Sequence, residues 1–398
     1  MERTIFLVDM NAFFITCETR RNPELKGRPA AVAGDPNRRS GIILAANYEA
    51  RVLGIKTTMT VNEALKRSPE LLLVPPDHHY YEVMSDAVMN YLSRFSPVVE
   101  QNSIDEAWID MTGTEHLFGR PMEAAELIME GLKKELQLWC SIGISSNKFL
   151  AKMASEMKKP LGITTLRKEE VAEKLWPLPV QYMYGIGAKT TEALNKLNII
   201  TIRDVALYDK NKLIRIFGKA GISMHEHANG IDDAPLNNHS RDDVKSVGKS
   251  VTLSKDISNI QDAKLILMKL ADEVSIRARS KSKKGQTVQI SLKYADFKTI
   301  TRQRSIARTN LSKALYHAGA ELLDDIWSEK KPIRLIGIAL TNFDDAEAGE
   351  QISLFDLKSQ NQNHTKDQQV QEALDEIRKK FGNDKVSWAS LIDTKKST

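Results

Sequence analysis

Apolar and polar positions along this chain change period several times. Residues 5–9, I-F-L-V-D, run apolar up to an acid, which predicts a strand buried on both faces. The short runs at 29–33 and 41–46 predict two more strands. Helical spacing covers 47–53, about 60–67, Tyr80 to Phe95, and 121–137. Residues 98–111 predict a strand pair and 140–145, C-S-I-G-I-S, a further strand. The helix after it stops at Pro160, whose ring and missing N–H end a helix. Strands alternating with helices on one sheet predict an α+β first domain.

From 167 to 231 the pattern is one of short helices. A polar stretch from 231 to 243 predicts an inter-domain linker. A strand near 247–253, a helix over 260–279, strands at 287–295 and 300–306, a helix over 311–327 and a strand at 333–343 then spell β-α-β-β-α-β. After Asp344 the chain turns polar, and Q-N-Q-N-H-T-K-D-Q-Q lacks the apolar surface to fold alone. Beyond it Val370, Leu374, Ile377 and Phe381 share one face of a predicted helix.

Composition narrows the classes. A chain of 398 residues exceeds one hydrophobic core, so several domains are expected. No apolar run approaches the ~18 residues of a membrane span, and the N-terminal residues carry no signal-type apolar region. Two cysteines, Cys17 and Cys140, argue against a disulfide framework, so a cytoplasmic protein is expected. Between Arg241 and Arg334, 20 Lys/Arg stand against 11 Asp/Glu, a net +9 that leaves −4 for the rest of a chain totalling +5. That asymmetry points this region toward a polyanion.

The chemistry concentrates in V-V-E-Q-N-S-I-D-E-A-W-I-D-M, where Asp105 and Glu106 interrupt an apolar run, and at Asp9 far upstream. An unpaired buried carboxylate is costly, so strands that keep several carboxylates do so mainly when cations neutralise them. Oxygen ligands without His or Cys favour Mg²⁺ or Mn²⁺ over zinc, and a pair of such ions suits in-line phosphoryl transfer. The pairs His78-His79 and His225, His227 lack ligand partners at metal spacing and are expected at the surface.

Five motifs occur in order: V-D-M-N-A-F-F, A-N-Y-E-A-R, S-I-D-E-A, G-I-S-S-N-K-F-L-A-K-M-A-S-E-M-K-K-P, and G-I-G at 185–187. Together they resemble the Y-family translesion DNA polymerases over about residues 3 to 343, and the tail resembles the Gram-positive UV-damage-repair branch. The resemblance implies a right-hand polymerase of α+β class. Its ferredoxin-like palm with embedded fingers would span 1–166 (fingers about 20–78) and its helical thumb, with a helix-hairpin-helix, 167–231. A linker at 232–243, a βαββαβ little finger at 244–343 and a tail at 344–398 would follow.

It further implies that Asp9, Asp105 and Glu106, with the backbone carbonyl of Met10, hold two Mg²⁺ ions. Phe13 and Phe14 would flank the nucleotide, with Phe14 as a steric gate against a 2′-hydroxyl. Tyr48 and Arg51, three apart on one helix face, would reach the triphosphate with Lys159. Ile42 and Leu44 would roof the templating base. Asn11 replaces an acid common in the family, and Ala45 a threonine, so one phosphate hydrogen bond is missing. Gly185 and Gly187 would free backbone N–H groups for phosphate, while Arg277, Arg279, Lys281, Arg302 and Arg304 would track the DNA backbone.

Gln351, Leu354 and Phe355 resemble a bacterial sliding-clamp-binding peptide. The expected partners are primer–template DNA, deoxynucleoside triphosphates and the clamp's beta subunit, with no membrane, the chain acting as a monomer. No length is left for an exonuclease, so no proofreading is expected. A nucleotide cyclase would share the carboxylates but not need the basic domain, and a non-catalytic DNA-binding accessory would not need the carboxylates.

Overall fold

The computed structural model describes residues 3–35, 41–237, 244–328, 331–343, 361–382 and 385–386. They fall into two units dividing after residue 239.

In chain order the first unit carries β1 (Ile5–Met10), α1 (Phe13–Arg21), β2 (Ala30–Ala33), β3 (Ile43–Ala46), α2 (Tyr48–Val52), α3 (Val61–Arg67), β4 (Leu72–Val74) and α4 (His78–Leu92). Next come β5 (Val99–Gln101), β6 (Glu106–Asp110), α5 (Glu115–Phe118), α6 (Pro121–Gly131), β7 (Cys140–Ser145), α7 (Lys148–Met157) and β8 (Ile163–Thr165). Its last helices are α8 (Ala188–Asn195), α9 (Ile202–Leu207), α10 (Lys210–Phe217) and α11 (Lys219–Ala228).

The main sheet runs β5-β6-β1-β7-β8. All six residues of β1 are buried, Asp9 among the apolar ones. β1 pairs antiparallel with β6 on one side and β7 on the other. Helix α7 lies close on β7 because Gly143 has no side chain. A Cβ there would stand 1.9 Å from the Ala151 carbonyl oxygen and 2.5 Å from the Ser155 nitrogen. A second sheet, β3-β2-β4, carries α2 and α3, and α3 opens with a Thr60–Glu63 capping box.

The short helices α8 to α11 share one core with α7, in which Leu150 and Met153 meet Leu175, Leu194, Ile202 and Leu213. The polar stretch expected as a linker is in part tied down. Asp232 Oδ2 accepts from the Phe149 N–H at 2.9 Å, satisfying a free donor at the start of α7, and Glu100 Oε2 accepts from the Asn237 N–H at 3.0 Å. Strands β4 and β8, three residues each, lay below what periodicity detects. The helix expected over 121–137 ends as α6 at Gly131 and continues as one wide turn over Leu132–Leu136.

The second unit holds β9 (Ser246–Ile257), α12 (Ile260–Ser280), β10 (Gly285–Tyr294), β11 (Thr299–Thr309), α13 (Ser312–Ile326), β12 (Ile333–Thr341) and α14 (Asn361–Phe381). Its sheet, β11-β10-β12-β9, is antiparallel throughout and realises the β-α-β-β-α-β order. Val288, Ile290 and Leu292 of β10 face α12 and α13 in the core, so the alternate positions Gln289 and Ser291 lie on the other face.

Helix α14 starts well before the amphipathic segment, inside the Gln/Asn-rich stretch expected not to fold alone. It docks through Gln371 and Arg378, not through its apolar stripe. Arg378 Nη2 donates to Asp272 Oδ2 at 2.7 Å, and the Arg279 Nη2 and Nε groups donate to the two oxygens of Asp375. Once that seam fixes 371–378, each upstream residue adds one helical bond at little further entropy cost. Val370, Ile377 and Phe381 are exposed.

Candidate active site

Pairing of β1 with β6 sets Asp9 directly opposite Glu106. Asp105 comes in at the strand entrance, where its carbonyl accepts from the Met10 N–H at 2.9 Å and Ser103 Oγ donates to its carboxylate at 2.5 Å. The residues read from the apolar-run pattern thus meet on two adjacent central strands. Around them lies a cleft of about 280 Å³ lined by Asp9, Met10, Phe13, Phe14, Leu44, Ala45, Tyr48, Arg51, Thr57, Asp105, Glu106 and Lys159, with Asn11 and Ala12.

Burial pushes both aspartates above the usual carboxylate range. For Asp9 the opposing pull comes from the Lys152 and Lys159 ammonium groups; for Asp105 it comes from the Ser103 hydrogen bond. Desolvation of Lys152 and Lys159 disfavours their charge, yet the neighbouring carboxylates, Asp9 foremost, together outweigh this and hold both above the ordinary lysine value. Lys159 Nζ lies 2.7 Å from Asp9 Oδ2 and 2.8 Å from Glu156 Oε1.

Phe13 is buried in the core, whereas Phe14 reaches the cleft wall and stacks on Tyr81, ring centroids 4.4 Å apart and 13° from parallel. Tyr81 is held in turn by donating to buried Glu18 Oε1 at 2.7 Å. The Arg51 guanidinium lies 4.8 Å from the centre of the Tyr48 ring, and Arg51 Nε donates to the Ala46 carbonyl at 2.9 Å. Burial raises the Tyr48 hydroxyl pKa. Leu44 lines the cleft, while Ile42, two residues back on the same strand line, bridges to Thr60 and does not. Asn11 is structural: its Oδ1 accepts from the Leu161 N–H at 2.9 Å and its Nδ2 donates to Ser141 Oγ.

Gly185 has φ +90° and Gly187 is the N-cap of α8. At neither position would a Cβ meet another atom within 4 Å, so the turn presents bare backbone. In the second unit Arg277, Lys281 and Arg302 are exposed. Arg279 is engaged by Asp375, and Arg304 by Glu321 and Asp325 of α13. Gln351, Leu354 and Phe355 lie outside the described residues. His227, expected at the surface, is half-buried against Phe149 at 4.3 Å between ring centroids, and burial lowers its pKa.

Sequence reasoning passed over Lys152, Glu156 and Thr57. Lys152 and Glu156 look like an ordinary exposed i,i+4 pair until the buried positions on every side of Lys152 are counted; Glu156 itself stays half exposed.

A central sheet raising carboxylates from adjacent strands beside a nucleotide-sized cleft, followed by a helical hairpin region and a separate βαββαβ unit, has the parts of a right-hand polymerase. Residues 8–156 match the impB/mucB/samB family, 168–199 its helix-hairpin-helix motif and 244–354 its C-terminal domain. The chain is 53% identical to DNA polymerase IV of Clostridium kluyveri over the whole of both chains. It is 41% identical to DNA polymerase IV 1 of Bacillus subtilis over 99% of this chain and 94% of that one.

A Y-family DNA polymerase chimera of Dbh and Dpo4 superposes with a TM-score of 0.76 at 27% identity, over 85% of this chain and 99% of that one. Dbh DNA polymerase in an insertion ternary complex superposes at 0.61 with the same identity and coverage. The chain belongs to the impB/mucB/samB family of Y-family DNA polymerases.

Proposed function

We infer that this chain is a DNA-directed DNA polymerase that extends a primer 3′ end in translesion synthesis. One observation carries the reading. Asp9 and Glu106 face each other across β1 and β6 with Asp105 adjoining them at the cleft, and beneath it Asp9, Glu106 and Glu156 share the ammonium groups of Lys152 and Lys159. A desolvated set with surplus negative charge draws in cations.

The family uses divalent metal, and an all-oxygen donor set with surplus charge fits Mg²⁺. Asp9, Asp105, Glu106 and the Met10 carbonyl would hold two ions. When bound, these supply charge neutralisation at the transferring phosphate and a more acidic primer hydroxyl. The remaining work falls to protein side chains. Arg51 offers its guanidinium fork and Lys159 a point charge to the triphosphate, with Tyr48 fixed beside Arg51. Phe14, backed by Tyr81, occupies the space a 2′-hydroxyl would need, and Leu44 roofs the base.

The Gly185–Gly187 turn and the exposed Arg277, Lys281 and Arg302 bind duplex phosphates. Gln351, Leu354 and Phe355 engage the sliding clamp, and the enzyme works as a cytoplasmic monomer. Among the described residues no helix is long and apolar enough to cross a membrane.

The test is extension of an undamaged primer–template with Mg²⁺ by the parent and by Asp105→Ala. Extension by the parent alone supports the assignment. Equal extension by both overturns it.

A further inference from the structure

Helix α7 is buried on all sides from Phe149 to Ser155, and a lysine sits in the middle of that stretch. The Lys152 side chain is only 8% exposed. Its ammonium lies 2.9 Å from Asp9 Oδ2 and 2.8 Å from Glu156 Oε1, and it also donates to Glu106 Oε1. An ammonium has three N–H donors, and here three carboxylates take them. Lys159 closes the figure: it too reaches Asp9 Oδ2 and Glu156 Oε1. Two lysines and two acids thus form a ring, from which Glu106 is hung by Lys152.

Two further facts bear on what this ring does. Asp9, Glu106 and Glu156 each place an oxygen within 4.8 Å of the others, the spacing of a metal site, yet the Lys152 ammonium bonds to all three. Lys152 and Glu156 do not line the cleft, whereas Asp9, Glu106 and Lys159 do. Whatever Lys152 contributes to catalysis therefore passes through the carboxylates above it. The missing side chain at Gly143 is what lets α7 carry the ammonium this close to β1.

We propose that Lys152 is a positioning residue that clamps Asp9 and Glu106 from beneath the cleft and, with Glu156, sets the surplus negative charge that draws divalent cations into the site. The proposal rests on the polymerase reading, and its first readout is independent of polymerisation. Counting Asp9, Asp105, Glu106 and Glu156 against Lys152 and Lys159, and leaving aside the Arg51 guanidinium of the cleft wall, the site carries −2. Lys152→Met keeps the length of the stem and makes the site −3; Glu156→Gln keeps the shape and makes it −1. The two variants therefore move cation affinity in opposite directions, which loss of packing would not do.

Mn²⁺ binding is measured on full-length protein without DNA or nucleotide, by electron paramagnetic resonance of the free ion. The expected results are about tenfold tighter binding for Lys152→Met and about tenfold weaker for Glu156→Gln. In primer extension Lys152→Met should lose about 10²-fold in kcat, the loss expected when a reacting group is misplaced by an ångström, with nucleotide KM within about threefold. Unchanged affinity in both variants, or weaker affinity in both, overturns the proposal. If Lys152→Met fails to fold, the Glu156→Gln shift decides alone. Opposite affinity shifts in a protein that extends no primer would uphold the clamp and sink the polymerase reading.

Discussion

The palm floor and the seam beneath α14 both bury charge, and they differ in balance. On the floor, Asp9, Glu106 and Glu156 share two ammonium groups with Asp105 alongside, and Asp9 Oδ2 and Glu156 Oε1 each serve both lysines. At the seam, two arginines meet two aspartates: Arg279 pairs with Asp375 and Arg378 with Asp272, Arg378 also lying 3.8 Å from Asp375, and Ser312 Oγ adds a 2.8 Å bond to Asp272. A balanced set is complete, and its work is to fix α14 on the little finger. An unbalanced one is waiting for cations from outside. The seam is also imperfect: Arg378 Nε and Gln371 Nε2 are buried without partners. Such gaps cost stability, so α14 is held less firmly than its ion pairs alone suggest.

Changes at the floor should therefore cost rate, and changes at the seam should cost docking. The largest effect is expected from Asp105→Ala, with a loss of about 10²–10³-fold in kcat from missing transition-state charge stabilisation and little change in melting temperature. At the seam, Arg378→Met leaves Asp272 desolvated without its partner and should cost about 3 kcal/mol of docking. Hydrogen exchange should then quicken in α14 but not in β10, while primer extension without the clamp stays at the parent's rate. A matching fall in kcat would erase the distinction between the two regions.

Phe14→Val should relax sugar choice by about 10–100-fold, the equivalent of 1–3 kcal/mol of relieved overlap, read as the ratio of kcat/KM for deoxy- and ribonucleotides. Ala45→Thr restores one phosphate hydrogen bond at the cleft wall and should lower nucleotide KM about fivefold, near 1 kcal/mol.

The smallest effect concerns His227. Burial against Phe149 lowers its pKa in the folded state below the ordinary 6.5. The unfolded chain then binds the proton more readily, so this stabilisation is present above pH 6.5 and is lost as pH falls through the folded pKa. His227→Gln should flatten the acid side of the melting-temperature profile. An unchanged slope would remove His227 as its cause.

How much of this was legible in the chain depended on what each residue interrupts. Asp9, Asp105 and Glu106 break apolar strand runs, and a buried carboxylate in such a run has few explanations, so the main carboxylates could be read directly. Lys152 and Glu156 have the spacing of an exposed helical ion pair. Only the approach of α7 to Gly143 turns Lys152 inward, while Glu156 stays half exposed, and that is a tertiary fact.

The same limit applies to the basic region. Its charge was visible, but the loss of Arg279 to Asp375 and of Arg304 to Glu321 and Asp325 was not, because the acids sit on α13 and α14. In α14 the apolar stripe was correctly placed on one helix face, yet the helix docks by its polar shoulder. Periodicity reports which residues share a face and not which face is used.

The most direct test of the central claim is a single-turnover primer extension titrated with Mg²⁺ from a metal-free start, run on the parent and on Asp105→Ala. The parent is expected to show no extension without metal and a rise to saturation as Mg²⁺ is added, and the variant a flat line near zero throughout. Metal-independent extension by the parent, or a variant that saturates at the parent's rate, would contradict it.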